Sequence, residues 1–443
     1  MKTTLLTPLL LGTAAATAAK EVPKLNFILI MADDMGYGDL GCYGNRTIST
    51  PNIDRMAAEG VRFADFHSNG AASTPTRAAL LTGRYQQRAG LQGVHMTWEE
   101  STKNIGLQPE EITFAKVLSR NGYKTALFGK WHLGSTDEVS PNRRGFDRFV
   151  GFRGGNIDYI NHRDVEGYED WWFDMEFRPE KGYATHLIAN HTCDYIRANA
   201  DKPFCIYVAH AVPHHPYQGP DDPEFRVPGK EKLQHHAPRK DHDTAYKEMI
   251  ENLDLTIGQL FKTLKETELD KHTVVFFISD NGAVGPGSVG GLNGRKGQLL
   301  EGGHRVPGIV WGLGKGIICD QPVMTMDLFP TMISLAGIEY DDSKKPLDGI
   351  SLAPLLIEQR SLPARDLFWR NKNQMAIRSG DWKLILYRNK NAPVKRMLFD
   401  LGRDLAEQNN LAETHPAKVA ELTAKIQSWE KSVDAEIQEQ INN

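Results

Sequence analysis

A few short segments hold side chains that could do chemistry together. Ser73-Thr74-Pro75-Thr76-Arg77 reads as a loop running into a helix, with Thr74 as N-cap, Pro75 at the first helical position and Gly83 at the stop. A helix start presents unpaired N–H groups and the positive end of the dipole, which suits an anion. Ser73 stands at that start and Arg77 lies one turn inside. Asp33-Asp34, before Met35-Gly36-Tyr37-Gly38-Asp39, and Asp280-Asn281-Gly282 each follow an apolar run. Two adjacent acids leaving a buried strand are costly unless positive charge lies between them, and a hard divalent cation with oxygen ligands answers that need. The same residues are also ordinary turn formers. Gly129-Lys130-Trp131-His132-Leu133-Gly134 sets Lys130 and His132 two residues apart near an expected strand end, hence on one side of the chain. Pro213-His214-His215-Pro216 and Gly294-Arg295-Lys296-Gly297 complete the set, with His210 and His215 as neighbours that could replace His214.

Such residues need a scaffold, and the apolar runs supply one. Strands are expected at residues 25–31, 204–209 and 274–279, each nearly continuous in hydrophobicity, as for a sheet covered on both faces. Helical stretches at 52–59, 113–121, 186–197 and 245–268 separate them. The alternation predicts an α/β fold, a large, mostly parallel sheet flanked by helices. Ligands of such sheets collect beyond the carboxyl ends of the strands, where Asp33, Asp34, His214, Asp280 and Asn281 all fall. From about residue 364 a second unit is expected, with short strands at 367–370, 374–378, 382–387 and 396–400 forming a small antiparallel sheet. A closing helix follows, with Val419, Leu422, Ile426, Trp429 and Val433 on one face at core-packing spacing.

Composition bounds the partners. The 443 residues carry a net charge of −4, so global charge draws in neither nucleic acid nor a polyanionic glycan. Any anionic substrate must be held by local basic residues. Residues 1–19 read as an export signal, with Lys2, an apolar stretch from Leu5 to Leu11 and small residues from Ala15 to Ala19. No later segment is long and apolar enough to span a bilayer. A periplasmic or secreted protein is expected, in which the scattered Cys42, Cys193, Cys205 and Cys319 allow one disulfide without fixing the pair.

The string Ser73-Thr74-Pro75-Thr76-Arg77 followed by Thr82-Gly83-Arg84 resembles the signature of the type I sulfatases, in its serine form. The resemblance extends through Asp33-Asp34, Thr50-Pro51-Asn52-Ile53-Asp54, the Lys130 and His132 hexapeptide, Gly145-Phe146-Asp147, Pro213-His214, Asp280-Asn281, Lys296 and Leu398-Phe399-Asp400-Leu401, covering most of the chain. It implies an alkaline-phosphatase-like fold, with a catalytic domain over 20–363 and a C-terminal α+β subdomain over 364–443. It implies sulfate ester hydrolysis, with Ser73 oxidised to Cα-formylglycine by a maturation enzyme and the gem-diol of that aldehyde as nucleophile. By the same resemblance Asp33, Asp34, Asp280 and Asn281 hold Ca²⁺, ahead of Mg²⁺. Arg77 and His132 position and deprotonate the nucleophile, Lys130 and Lys296 bind sulfate, and His214, with Lys296, protonates the leaving alcohol. The sequence departs from the family at His304, where a hydrophobic residue is usual before the arginine.

The implied substrate is a sulfated carbohydrate, such as an algal galactan or a glycosaminoglycan. Residues 227–242, with His235, His236, Arg239, Lys240 and His242, together with Asn142, Arg143, Arg144 and the Trp171-Trp172 pair, are candidates for reading it. Two other functions fit the motif set. One is a phosphomonoester or phosphonate ester hydrolase of the same superfamily, the other a catalytically silent sulfoglycan-binding protein.

Overall fold

The computed structural model of the protein describes residues 24–95, 105–228 and 239–442. The leader over 1–19, and with it His235 and His236, lies outside these residues. A ten-stranded sheet forms the body. Its centre is five parallel strands in the order Thr273–Ser279, Asn26–Ala32, Phe204–Ala209, Lys124–Lys130 and Arg148–Phe152. Antiparallel pairing begins only outside this centre, at Gly308–Trp311 on one side and Trp172–Phe173 on the other. Alternate residues of the first strand enter different cores: Phe27, Leu29 and Met31 on one face, Ile28, Ile30 and Ala32 on the other. That two-sided burial explains the unbroken apolar runs. The helix Ala184–Ala198 and the helix His242–Glu266 cover one face, and Phe114–Arg120 covers the opposite one. The strand Arg148–Phe152 carries no long apolar run bounded by turn residues, which is why the sequence does not announce it.

The four C-terminal strands Asp366–Asn371, Gln374–Ser379, Trp382–Tyr387 and Lys395–Asp400 form an antiparallel meander. The helix Pro416–Asn442 splits its apolar stripe between two cores. Val419, Leu422 and Ile426 pack on Met375, Ile377 and Leu384, whereas Trp429 and Val433 join Ala79 and Tyr85 of the main body. The small sheet therefore shares a core with the helix that begins at Ser73.

Below that shared core runs a buried polar chain, and it gives His304 a place. His304 Nε2 lies 3.1 Å from Lys383 Nζ and 3.2 Å from Leu299 O, and its Nδ1 meets His67 Nδ1 at 3.0 Å. His67 Nε2 then donates to Asp65 at 2.7 Å. Trp369 stacks on His304, with ring centroids 4.3 Å apart. The chain joins the C-terminal sheet to the segment leading into Ser73 and to the one following Lys296. Burial, more than the neighbouring charges, lowers the pKa of both histidines from 6.5. A histidine neutral in the fold but protonated when unfolded contributes stability that is present above its unfolded pKa and lost as the pH falls. Urea denaturation should accordingly give a plateau at pH 7–8 and a decline below pH 6.5, of up to about 2 kcal/mol per histidine at pH 5. A profile that stays flat, or is unchanged in His304→Leu, would contradict the neutral pair.

Candidate active site

Backbone hydrogen bonds between neighbouring strand ends carry the sheet into the site. Asp280 N–H donates to Ala32 O at 3.2 Å and Asp33 N–H to Val212 O at 2.9 Å. Asp33, Asp34, Asp280 and Asn281 are thereby gathered at one end of the sheet, each no more than 2% exposed. The helix Ser73–Thr82 brings the hydroxyl. Its N-cap is Ala72, not Thr74, because the Thr74 hydroxyl is taken by the His95 N–H at 3.0 Å. Ser73 thus occupies the first helical turn, while Gly83 closes the helix at φ 67° as its position suggests. A Cβ on Gly70 would stand 2.9 Å from Pro75 Cβ, so only glycine lets this segment fold back on the helix start. The Gly297 N–H donates to Ala71 O at 2.7 Å, which sets the Lys296 loop beside Ser73.

Ser73 Oγ lies 3.1 Å from Asp33 Oδ1, 3.4 Å from Asn281 Oδ1 and 3.5 Å from Lys130 Nζ. Lys130 donates to Asp33 Oδ2 at 2.6 Å, and Lys296 to Asp34 Oδ1 at 2.6 Å. Arg77 makes a two-pronged contact with Asp280 Oδ2, at 2.7 and 3.2 Å, and reaches the Tyr207 hydroxyl at 3.3 Å. Three buried carboxylates are therefore matched by three cations around one serine oxygen. Burial disfavours each of these positive charges. It wins at Lys130, whose pKa is lowered despite Asp33. At Lys296 the burial cost is outweighed by Asp34, Asp33 and Asp280, and at Arg77 by Tyr207, Asp280 and Asp33, so both are raised.

The two histidines differ in what they offer. His132 Nε2 donates to His95 O at 2.9 Å, which leaves Nδ1 as a lone pair with no partner among the described residues. Burial, then Lys130 and Arg77, hold its pKa well below 6.5, so it is a neutral base. His214 Nδ1 donates to His215 O at 2.6 Å and turns Nε2 toward Asp34 Oδ2, 3.5 Å away. Burial, then Lys296 and Lys130, keep it neutral as well. His215 stacks on His214, and His210 is buried where its Nδ1 meets no described partner. Lys130 and His132 do not reach the site through strand alternation. Lys130 ends its strand, and His132 lies beyond it at φ 57°, a left-handed conformation that turns the chain. Asp34 adopts the same region at φ 67°. Such conformations are costly for residues with side chains and are held by their surroundings. A Cβ on Gly155 would stand 2.8 Å from His132 Nε2, so that position leaves room for the ring.

The oxygen donors fit a hard cation. Three carboxylates and the Asn281 carbonyl are the ligand chemistry of Ca²⁺ or Mg²⁺, and ligand atoms of Asp33, Asp34 and His214 lie within 4.8 Å of one another. No cysteine takes part: the four thiols are free.

Tyr207 and His95 enter the site without any sequence signal. Asp39 accepts from Gly36 N–H, Ser288 N–H and the Tyr246 hydroxyl at 2.6–2.7 Å, tying together the loops that follow two strands. Several residues considered for glycan recognition have structural roles. Arg144 is 1% exposed and donates to the backbone oxygens of Leu107, Glu138 and Arg143. Trp171 is buried against His162, and Asn142 hydrogen-bonds Asp174. Arg239 is paired with Glu248 at 2.6 Å. Trp172 is covered by the Arg153 guanidinium at 3.8 Å.

The family model for sulfatases matches residues 25–338. The steryl-sulfatase of Rattus norvegicus is 33% identical over 427 residues, covering 77% of this chain and 71% of the relative. N-acetylgalactosamine-6-sulfatase of the same animal is 31% identical over 410 residues, covering 86% and 75%. Among solved structures, Ps i-CgsB in complex with k-i-k-neocarrahexaose is similar with a TM-score of 0.81 at 29% identity, covering 92% of this chain and 93% of that one.

Proposed function

The chain belongs to the sulfatase family and is a sulfuric ester hydrolase; from that premise we propose that it removes sulfate from a sulfated carbohydrate, using Ser73 oxidised to Cα-formylglycine and a Ca²⁺ ion. The observation that carries the reaction is the convergence on Ser73 Oγ of Asp33, Asn281 and Lys130 within 3.5 Å. The carbohydrate is supported by the 29% identical structure that holds a neocarrahexaose and by the N-acetylgalactosamine-6-sulfatase relative.

Asp33, Asp34, Asp280 and Asn281 would hold the ion, which when bound supplies positive charge beside the nucleophilic oxygen. The aldehyde, when formed, supplies a nucleophile that can later release sulfate without leaving the enzyme esterified. The remaining steps fall to groups of the chain. His132 Nδ1, a free lone pair on a neutral ring, takes the nucleophile's proton. Lys130 and Arg77 hold the anionic oxygens and the carboxylates in place. His214, whose Nε2 faces Asp34 Oδ2 at 3.5 Å, together with Lys296, which reaches Asp34 Oδ1 at 2.6 Å, gives the proton to the departing alcohol. Fixed charges in the cluster balance before any ion binds, and a divalent cation would leave a net positive site for a sulfate ester.

The leader implies export, where polymeric glycans are met, and the aldehyde requires a maturation enzyme acting on Ser73. No helix among the described residues is long and apolar enough to cross a membrane.

The test compares phenyl sulfate with phenyl phosphate using chelator-treated enzyme reloaded with single metals. We expect turnover to be lost on chelation and restored by Ca²⁺, with kcat/KM for the sulfate at least tenfold above that for the phosphate. Preference for phosphate, or restoration by Zn²⁺ alone, would favour the phosphoester or phosphonate ester reading. Absence of turnover by matured, Ca²⁺-loaded enzyme on either ester would favour the binding-protein reading.

A further inference from the structure

One buried histidine beside the cluster has no role in the chemistry described above. His95 is 4% exposed, and neither of its ring nitrogens has a hydrogen-bond partner among the described residues. Two polar atoms left this way are costly and call for a ligand. The backbone of His95 is fixed at both polar groups. Its N–H donates to Thr74 Oγ1 at 3.0 Å, next to the nucleophile, and its carbonyl accepts from His132 Nε2 at 2.9 Å. Burial disfavours the charged form of the ring. A neutral imidazole offers one N–H and one lone pair. That pair complements a hydroxyl, which both donates and accepts; a second sulfate would ask for cations instead.

Resting on the carbohydrate reading above, we propose that the His95 imidazole is a specificity residue that hydrogen-bonds a free hydroxyl of the sugar bearing the scissile sulfate. His95 then distinguishes a sulfated sugar from an aryl or steryl sulfate, which has no hydroxyl to offer. It takes no part in proton transfer, which stays with His132, His214 and Lys296.

The experiment uses full-length, matured, Ca²⁺-loaded enzyme and the variants His95→Phe and His95→Gln. Substrates are 4-nitrophenyl sulfate and whichever of carrageenan, fucoidan and glycosaminoglycan oligosaccharides the parent enzyme turns over fastest. His95→Phe keeps the ring volume and removes both polar atoms. Its loss in kcat/KM on the oligosaccharide should exceed its loss on the aryl sulfate by about tenfold or more. His95→Gln, which restores a donor and an acceptor, should recover part of that difference. If His95→Phe does not fold, the parent enzyme with a substrate deoxygenated beside the sulfate serves in its place, and should show the same tenfold penalty. Equal losses on both substrate types, or no penalty for the deoxy substrate, would overturn the proposal while leaving the sulfatase reading intact. Turnover of 4-nitrophenyl sulfate with none of the three oligosaccharide classes would overturn the carbohydrate reading, and this proposal with it.

Discussion

Ser73→Ala should lower kcat/KM by at least about 10⁴-fold while the fold stays close to intact. Ser73 Oγ is the atom on which Asp33, Asn281 and Lys130 converge, so removing it takes away the group that would attack sulfur. What remains is charge stabilisation and substrate binding, which alone leave only a residual rate. The structural cost is small by comparison. Asp33 loses one neighbour at 3.1 Å but keeps Lys130 at 2.6 Å, so the change in stability should be about 1 kcal/mol. A matched measurement fixes the chemistry of the position. Mass spectrometry of the peptide spanning Ser73, from active protein made in its own host, should give a mass two hydrogens below the serine form. A fully active Ser73→Ala protein would remove this residue from the mechanism. An active native protein with unmodified serine would remove the aldehyde alone.

Lys383→Met should destabilise the protein by about 3–5 kcal/mol with little change in unfolding slope. Lys383 is fully buried, 2.8 Å from both Glu301 and Glu407, and its Nζ lies 3.1 Å from His304 Nε2. Burial opposes ionisation of Glu301, but the Lys383 ammonium at 2.8 Å and the Arg305 guanidinium at 2.9 Å outweigh it and hold its pKa well below 4.5. Burial prevails at Glu407, whose pKa is raised. Removing the ammonium group therefore strands a carboxylate charge in the interior, which is the costly way to break a buried pair. Adding Glu301→Gln to the same protein should recover part of the loss, because the stranded charge goes with it. A loss below about 1 kcal/mol for Lys383→Met would mean that water reaches this chain. The outcome bears on function because Glu301 follows the Lys296 loop, and Ser68, five residues before Ser73, donates its N–H to His304 O at 2.8 Å.

The gathering of the acids at the strand ends was legible in the sequence, and so were the central strands over 26–32, 204–209 and 273–279, for one physical reason. A strand buried on both faces must be apolar throughout, so it stands out, and any acid at its carboxyl end stands out against it. Asp33, Asp34, Asp280 and Asn281 were located that way, and Ser73 and Arg77 by their place at a helix start. The start itself was misread by two residues at Thr74, because the competing donor is His95, distant in sequence and near only in the fold. The same holds for Lys130 and His132, which share the site through a left-handed turn that no alternation rule contains. Tertiary structure alone decided which nitrogen of each histidine is free, since a tautomer depends on the partner across the site. It also decided how two residues of the same type are poised: burial, with Arg77 and Lys296 nearby, lowers the Lys130 pKa despite Asp33, whereas Asp34, Asp33 and Asp280 raise that of Lys296. His304 shows the division most plainly. Its type marked a departure in the sequence, but its meaning lies in Lys383, Trp369 and His67, which only folding brings against it.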